Sequence, residues 1–204
     1  DKLLSNLRSL GYDYNEIQTV VISHYHWDHR GGLWKLLEKR RGLPVYICDG
    51  FREAFHQDVK EYGGDLRLVS GRTEIAPGVF IIGPIEGEYK GGPIQEQAIA
   101  LVSSERGERE QLNVITGCAH PGVVKVVREC SAAFPELPID SVLGGFHYKN
   151  KEDSEIAEEY RLLMEMGVQR LGPAHCSGDR GIEVCRRDCG EKGMSVDVGF
   201  LLDV

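Results

Sequence analysis

The histidines of this chain lie directly after its short apolar segments, and this placement restricts the folds that are possible. The sequence has seven histidines. Six of them follow a predicted strand: His24, His26, His29, His120, His147 and His175. In layered α/β folds the carboxyl ends of strands meet at one edge of a sheet, where ligand sites are usually built. The sequence therefore predicts alternating strands and helices with a histidine-rich site at one sheet edge.

The spacing of apolar residues supports a mixed α/β architecture of this kind. Apolar residues at helical intervals predict helices over residues 2–10, 31–40, 51–62, 123–130, 154–166 and 181–189. Short apolar runs predict strands over residues 17–22, 45–48, 98–103, 112–116, 139–143, 169–171 and 194–202, with further short strands between 66 and 82. The segment 83–95 is rich in glycine and proline and is predicted as a loop. Because no linker stands out, we expect one domain over residues 1–204.

The charge and hydropathy of the chain narrow its partners and its location. Its 204 residues include 24 Lys and Arg against 32 Asp and Glu, a formal net charge of −8. An acidic chain without a basic stripe is not expected to bind nucleic acid. No apolar run reaches the roughly 18–20 residues of a membrane-spanning helix, and the first residues lack a secretory signal pattern, so no membrane association is expected. We expect a cytoplasmic protein whose six cysteines are reduced.

Two pairs of potential metal ligands lie in the segment HYHWDH, residues 24–29. Residues two apart in an extended chain point to the same side, so His24 and His26 can converge on one ion. Asp28 and His29 follow after the chain turns and can address a second ion nearby. Imidazole combined with carboxylate suits zinc, iron or manganese. The segment therefore predicts a centre for divalent metal.

The segment HYHWDH matches the HxHxDH signature of the metallo-β-lactamase superfamily, and the chain resembles that family over nearly its whole length. Three later segments, TGCAHPG, LGGFH and GPAHCSG, are similar to those of a subgroup of metal-dependent hydrolases that also includes an archaeal dihydropterin synthase. The resemblance implies a four-layer αββα sandwich, a small-molecule substrate and two divalent ions, with zinc favoured over iron or manganese. The ligands that it implies are His24, His26, Asp28, His29, His120 and His175.

The chain departs from the family pattern at two places. Members of the family begin with several strands before the helix that opens this sequence, so the first sheet is expected to lack those strands. An open sheet edge is usually paired or covered, and we therefore expect either a homo-oligomer or a longer natural chain. Where the family has a histidine and later a bridging aspartate, this sequence has Glu96-Gln97 and Gly117-Cys118. The resemblance therefore does not identify a bridging ligand.

His147 has three possible roles. It follows the glycine pair Gly144-Gly145, which would let the backbone approach a ligand closely. It is a further metal ligand, an acid/base group that faces the substrate, or a histidine that only supports the site. We favour the acid/base role, because His120 and His175 already supply ligands from the later part of the chain.

Five further residues are candidates for the surroundings of the site, and four of them lie beside predicted ligands in the sequence. Cys118 is either a thiolate ligand or a buried structural cysteine. Cys176 directly follows a predicted ligand, and adjacent side chains of an extended segment point apart, so it is expected to face away from the metal. Glu96 either reaches the site or is a solvated charge, and the solvated charge is expected. Tyr25 and Trp27 are expected to pack behind the metal loop.

Together these observations predict a metal-dependent hydrolase or transferase for a small molecule that carries a phosphate or diphosphate, with a pterin among the candidates. Asp28 would orient the attacking water as well as bind metal, and His147 would transfer protons. The helix starts after Gly31-Gly32 and Pro121 offer backbone amides to a phosphate. Two alternatives stay open: a di-iron redox or oxygen-handling protein of the same fold, and a catalytically inactive binding module.

Overall fold

Two β-sheets carry the loops that bear these histidines. The computed structural model describes residues 2–104 and 109–203. The first sheet has three parallel strands: β1 (Val20–Val21), β2 (Pro44–Cys48) and β3 (Asp65–Val69). The second sheet has six strands in chain order: β4 (Thr73–Ala76), β5 (Val79–Tyr89), β6 (Gly92–Ser103), β7 (Gln111–Thr116), β8 (Ile139–Gly145) and β9 (Arg170–Ala174). Strands β4 to β7 are antiparallel neighbours, whereas β7, β8 and β9 run parallel.

Helices lie on the outer faces of both sheets. The first part of the chain contains α1 (Lys2–Ser9), α2 (Trp27–Arg30), α3 (Leu33–Lys39) and α4 (Glu53–Glu61). The second part contains α5 (Val123–Ala133), α6 (Asp153–Glu165) and α7 (Gly178–Cys189). Single 3₁₀ turns occupy Tyr14–Glu16, His175–Ser177 and Gly190–Lys192. Within the described part of the chain, no helix combines the length and the apolar character that crossing a membrane requires.

The side chains of β2 show how the layers are arranged. Val45 and Ile47 are fully buried against the helices of the first part. Tyr46, on the opposite face of the strand, packs with Val69 and Ile81 between the two sheets. On the far side of the second sheet, β7 to β9 form a core with α5, α6 and α7. The layers therefore follow the order helix, sheet, sheet, helix, which confirms the predicted αββα sandwich.

Helix α3 fixes the position of the histidine-rich segment that precedes it. Its buried residues Leu33, Leu36 and Leu37 follow the i, i+3, i+4 spacing of a helix face and pack in the core of the first layer. At the start of this helix, a Cβ on Gly32 would lie 2.9 Å from the side chain of Leu3 in α1. The segment between β1 and α3 is thus held at both ends by packed elements.

A buried glutamine of β6 joins the two sheets next to this segment. The Gln97 side-chain amide donates hydrogen bonds to the carbonyl oxygens of Ile22 (2.9 Å) and Tyr46 (3.0 Å). The backbone N–H of Gln97 donates to the carbonyl oxygen of Ser23 at 2.9 Å. Because these bonds lie in the interior, where hydrogen bonds are electrostatically strong, they hold the start of the histidine-rich segment against the second sheet.

The prediction of a loop over residues 83–95 is wrong, because this segment forms most of a long hairpin. Strand β5 continues to Tyr89, and β6 begins at Gly92. The two strands pair through this segment, from Ile85 with Glu96 to Tyr89 with Gly92. Gly83 and Gly87 serve close packing within β5, whereas Gly91, with a φ of +75°, lies in the turn of the hairpin. A Cβ on Gly87 would lie 2.7 Å from the backbone of Pro121, so this position allows β5 to press against the loop after β7.

The predicted strand over residues 194–202 is also absent from the structure. Leu171 and Gly193 form one isolated parallel bridge beside β9, and no further pairing with β9 is recorded for the described residues that follow. Val198 and Leu201, which suggested a strand by their apolar character, are 76% and 77% exposed. An apolar pattern alone was therefore misleading here, because these side chains are not packed against either layer.

Candidate metal centre

Loops from both sheets meet at a cleft of about 730 Å³ beside the carboxyl ends of β7, β8 and β9. The segment after β1 enters from the first sheet, and the loops after β7, β8 and β9 enter from the second. The structure brings together every residue predicted as a ligand or catalytic group, at the surface of this cleft or directly beneath it: His24, His26, Asp28, His29, His120, His147 and His175.

Three histidines form a first group with metal-binding spacing. Nε2 of His24 lies 3.0 Å from Nδ1 of His26. The ring centroid of His120 is 4.8 Å from the centroid of each of the other two rings. Two nitrogen ligands of one tetrahedral ion are about 3.4 Å apart, given metal–nitrogen bonds of about 2.05 Å. These three rings can therefore converge on one ion with small adjustments.

A second group consists of Asp28, His29 and His175. Nε2 of His29 lies 3.1 Å from Nε2 of His175. Oδ2 of Asp28 lies 3.4 Å from the same His175 nitrogen and 3.6 Å from the His29 nitrogen. All three separations are close to the roughly 3.4 Å edge of a tetrahedral ion's coordination shell. Each group thus takes two ligands from the loop after β1 and one from the second sheet.

Glu96 is a buried part of this site, so its prediction as a solvated charge is wrong. Its side chain is 3% exposed, and Oε1 contacts Nδ1 of His120. The same oxygen accepts a hydrogen bond from the His120 backbone N–H at 3.2 Å and lies 3.6 Å from Nδ1 of His24. A carboxylate on the outer ring nitrogen orients a histidine and leaves the other nitrogen free for metal. The residue was missed because it lies between the predicted loop over residues 83–95 and the predicted strand over residues 98–103, whereas β6 already begins at Gly92.

We expect Glu96→Gln to weaken metal binding by about 10–100-fold, the usual effect of losing a carboxylate behind a ligating histidine. The amide keeps the size of the side chain but removes the negative charge that orients His120 and His24. Competition with a fluorescent chelator measures the change. Glu88→Gln is the matched control, because Glu88 is exposed on the neighbouring strand, and its affinity should equal that of the wild type. Equal affinity of both variants would contradict the role given to Glu96.

Three histidines of the segment after β1, His24, His26 and His29, are held in the neutral form that binds metal. Burial, together with the charges of neighbouring histidines, lowers the pKa of His24 to about 2. Burial is also the main cause that lowers the pKa of His26 and of His29 below the usual histidine value. The imidazoles of His24, His26 and His29 therefore do not repel one another as cations near neutral pH.

Only one of the two aromatic residues of the HYHWDH segment packs behind it. The Tyr25 ring contacts Phe51 and Phe55 edge-on, and the Arg30 guanidinium lies 4.4 Å over its centroid. Trp27 is instead 75% exposed and lines the cleft, so its predicted position is wrong. The alternation expected of an extended chain ends at this residue, because helix α2 begins there.

Left-handed backbone is concentrated at the cleft. Among the described residues, positive φ angles at non-glycine positions occur at Lys90 (51°), Ala119 (54°), His147 (55°) and His175 (50°). Three of these residues line the cleft, and Ala119 lies between two residues that do. Such conformations are unfavourable by about 1–3 kcal/mol each and tend to be retained where the surrounding structure holds functional side chains. Ala119, His147 and His175 lie in the loops after β7, β8 and β9, and Lys90 lies in the turn between β5 and β6.

Two cysteines lie among the histidines. Sγ of Cys118 is 3.2 Å from Nε2 of His29, and Sγ of Cys176 is 3.6 Å from the Cys118 carbonyl oxygen. The prediction that Cys176 faces away is wrong, because the positive φ of His175 interrupts the extended chain before it. A hydrogen bond from the Cys118 thiol lowers the pKa of Cys176 to about 4, and the same bond raises the pKa of Cys118.

His147 lies against His120, with 4.3 Å between their ring centroids. His147 lines the cleft. One of its ring nitrogens, Sγ of Cys118 and a ring nitrogen of His120 all lie within 4.8 Å of one another. The Nδ1 atom of His147 is buried and has no hydrogen-bond partner among the described residues. A buried ring nitrogen without a partner is unusual, and it fits a site that a metal ion or a ligand completes. The donor set of imidazole, carboxylate and thiol is one that divalent zinc or iron prefers.

The profile of the Metallo-beta-lactamase superfamily matches residues 1–185. The chain therefore belongs to this superfamily, whose members bind divalent metal ions, and the grouped ligands described above agree with that membership.

Individual relatives support the same assignment. Tm1679, a metal-dependent hydrolase of the beta-lactamase superfamily, superimposes with a TM-score of 0.78 at 27% identity, over 98% of this chain and 84% of that protein. The fold protein YhfI from Bacillus subtilis gives a TM-score of 0.57 at 16% identity over 92% and 78%, a likeness of fold alone. A curated relative from Methanocaldococcus jannaschii is 23% identical over 87% of this chain and 72% of its own length. That relative is named 7,8-dihydropterin-6-methyl-4-(beta-D-ribofuranosyl)-aminobenzene-5'-phosphate synthase.

Proposed function

We propose that this chain is a metal-dependent hydrolase or transferase that uses two divalent ions, zinc first among them, on a small molecule carrying a phosphate or diphosphate. The observation that carries the proposal is a pair of lysines at a histidine-lined cleft in an acidic chain. The bound ions would lower the pKa of a water molecule and neutralise negative charge that develops on the substrate. The phosphate in the product name of the Methanocaldococcus jannaschii relative supports this substrate class.

The two lysines approach the cleft from different loops. Lys90 lies in the turn between β5 and β6, and Lys149 lies in the loop after β8. Both are exposed and both line the cleft. Because the chain has a net charge of −8, two ammonium groups beside the histidines make this cleft locally attractive to an anion. Phosphate oxygens are suitable acceptors for both groups.

Two aromatic residues favour a substrate that also contains a flat ring. The exposed indole of Trp27 and the ring of Tyr89 line the cleft, and the Tyr89 centroid is 4.6 Å from that of His26. Exposed aromatic faces bind planar ring systems by stacking. A pterin or a related ring beside a phosphate therefore suits this cleft.

The catalytic roles in this proposal belong to two side chains. Asp28 would bind the second ion and orient the attacking water, since its carboxylate lies at the cleft surface and is 38% exposed. His147 would pass a proton to the leaving group, since its ring lines the cleft beside His120. An acid/base group of this kind typically contributes about 10²–10⁴ in rate.

The test is a screen of the zinc-, manganese- and iron-loaded protein against phosphomonoesters, phosphodiesters and pterin diphosphates. On the substrate that reacts, we expect Lys149→Ala and Lys90→Ala each to raise KM about tenfold, since a hydrogen bond to a charged group contributes about 1.5–3 kcal/mol and these groups are exposed. Lys60→Ala, a change on α4 outside the cleft, is the matched control and should leave KM unchanged.

Two histidine variants separate the acid/base role from the metal-binding role. His147→Ala should keep both ions, measured by elemental analysis, and lose about 10²–10⁴ in kcat. His120→Ala should lose an ion. If His147→Ala also loses an ion, His147 is a ligand and the acid/base role is wrong. A fully loaded protein without turnover on any substrate of the screen would contradict the proposed activity and favour a binding module.

A further inference from the structure

We infer that the Cys118 thiolate is a shared ligand that joins the two ions of the proposed centre. The inference rests on the two-ion centre proposed above and assigns the position between the ions to sulfur. Among the described residues, five groups of three side chains have their ligand atoms within 4.8 Å of one another. Cys118 belongs to three of these groups, and each of the other residues belongs to at most two.

The contacts of Cys118 reach both sets of ligands. Its sulfur groups with His24 and His29 on one side and with His120 and His147 on another, and it also groups with His175 and Cys176. The distance from Sγ to Nε2 of His29 is 3.2 Å. Sulfur and nitrogen ligands of one tetrahedral ion are about 3.6 Å apart, given bonds of about 2.3 and 2.1 Å. The sulfur therefore lies at about ligand spacing from His29 of the second set and within 4.8 Å of the ligand atoms of His24 and His120 of the first set.

No other acidic side chain in the described part of the chain is grouped with both sets. Asp28 is grouped with the second set only, and Glu96 belongs to none of the five groups. Glu96 is engaged by the outer nitrogen and the backbone N–H of His120. Two neighbouring cations are best separated by an anionic donor. Cys118 can be that donor, because its thiol loses its proton to solvent when a metal–sulfur bond forms.

The backbone around Cys118 is built to hold this sulfur in place. The residue is 4% exposed. A Cβ on Gly145 would lie 3.1 Å from the Cys118 Cα and 2.4 Å from the Gly117 carbonyl oxygen, so the end of β8 presses directly on this turn. The next residue, Ala119, has a φ of 54° and sends the chain on to His120. A surface thiol would need none of these restraints.

Two spectroscopic measurements test the inference on the full chain. Cobalt(II) titration should give an intense near-ultraviolet sulfur-to-cobalt charge-transfer band that grows with both the first and the second equivalent. Loading with ¹¹³Cd should give two resonances that are coupled to each other through the shared sulfur. Cys118→Ala and Cys118→Ser should both lose the band, and the second ion should bind more than about 100-fold more weakly, beyond the effect of losing an outer partner. Cys176→Ala is the matched control and should keep the band.

The outcomes separate this inference from the proposed function. Wild-type protein that binds two ions without a charge-transfer band, or a band that survives in Cys118→Ser, would overturn the sulfur bridge and leave the two-ion centre intact. A band that disappears only in Cys176→Ala would assign the sulfur ligand to Cys176. Fewer than two ions per wild-type chain by elemental analysis would overturn the centre itself, and the bridge with it. Far-ultraviolet circular dichroism shows that each variant compared is folded.

Discussion

Removal of bound metal with a chelator is expected to lower the melting temperature of this protein by about 10 °C. A ligand present at about 1,000 times its Kd stabilises the folded state by about 4 kcal/mol. For a chain of 150–250 residues, each kcal/mol corresponds to about 2–4 °C. The effect should be large because the loop after β1 and the loops of the second sheet would no longer share ligands. Differential scanning calorimetry of the zinc-loaded and the chelated protein measures it.

The matched control for this experiment removes one ligand from each set. In the double variant His26→Ala/His29→Ala both groups lose a member, so the chelator should change the melting temperature by less than about 3 °C. A wild-type protein that melts at the same temperature with and without the chelator would show that the grouped histidines hold no ion in the folded state.

Gly144→Ala is expected to destabilise the fold by several kcal/mol and to reduce metal content as well. Gly144 has a φ of +120°, and a Cβ there would lie 2.2 Å from the Thr116 carbonyl oxygen. The positive φ is unfavourable by about 1–3 kcal/mol for alanine, and forcing β7 and β8 apart adds about 1–3 kcal/mol. The loops that follow these strands carry His120 and His147, so the displacement reaches the metal centre. Urea unfolding and elemental analysis measure the two effects.

Gly122→Ala separates the two causes. Gly122 also has a positive φ, +91°, but a Cβ there has no neighbour within 4 Å in the described part of the chain. It should therefore show the backbone effect alone and remain about 1–3 kcal/mol more stable than Gly144→Ala. Equal free energies of unfolding for the two variants would mean that the close approach of β7 and β8 contributes nothing.

The architecture could be predicted because it depends on local patterns that tertiary contacts reinforce. The HYHWDH segment, the strand before it and the helix after it were all predicted, because apolar spacing and ligand spacing are local properties. The hairpin of β5 and β6 was missed because its glycines suggested a loop, whereas Gly87 makes room for the backbone of Pro121. That contact is between residues far apart in sequence, and no local pattern reports it.

The missed features of the site share a physical cause. Sequence reasoning placed Trp27 and Cys176 by the alternation of an extended chain. The chain is helical from Trp27 onward, and His175 has a left-handed backbone. Both side chains therefore face the cleft. Glu96 was missed for the related reason that the first part of its strand was not predicted. The HxHxDH signature indicated which residues could bind metal, whereas the surroundings of these residues depend on backbone angles that only the folded chain defines.

Each of the two groups of candidate ligands is divided between the two sheets, so metal binding would depend on how the sheets are docked. Since each group of candidate ligands combines two residues that precede position 30 with one that follows position 119, ions at the proposed centre would be held only while the sheets are docked in register. Metal content is then a reporter of that docking. A substitution at the Tyr46–Ile81 contact or at Gln97 would release metal without changing a ligand. Substitutions far from the cleft would then remove metal-dependent activity while the helices and strands stay formed.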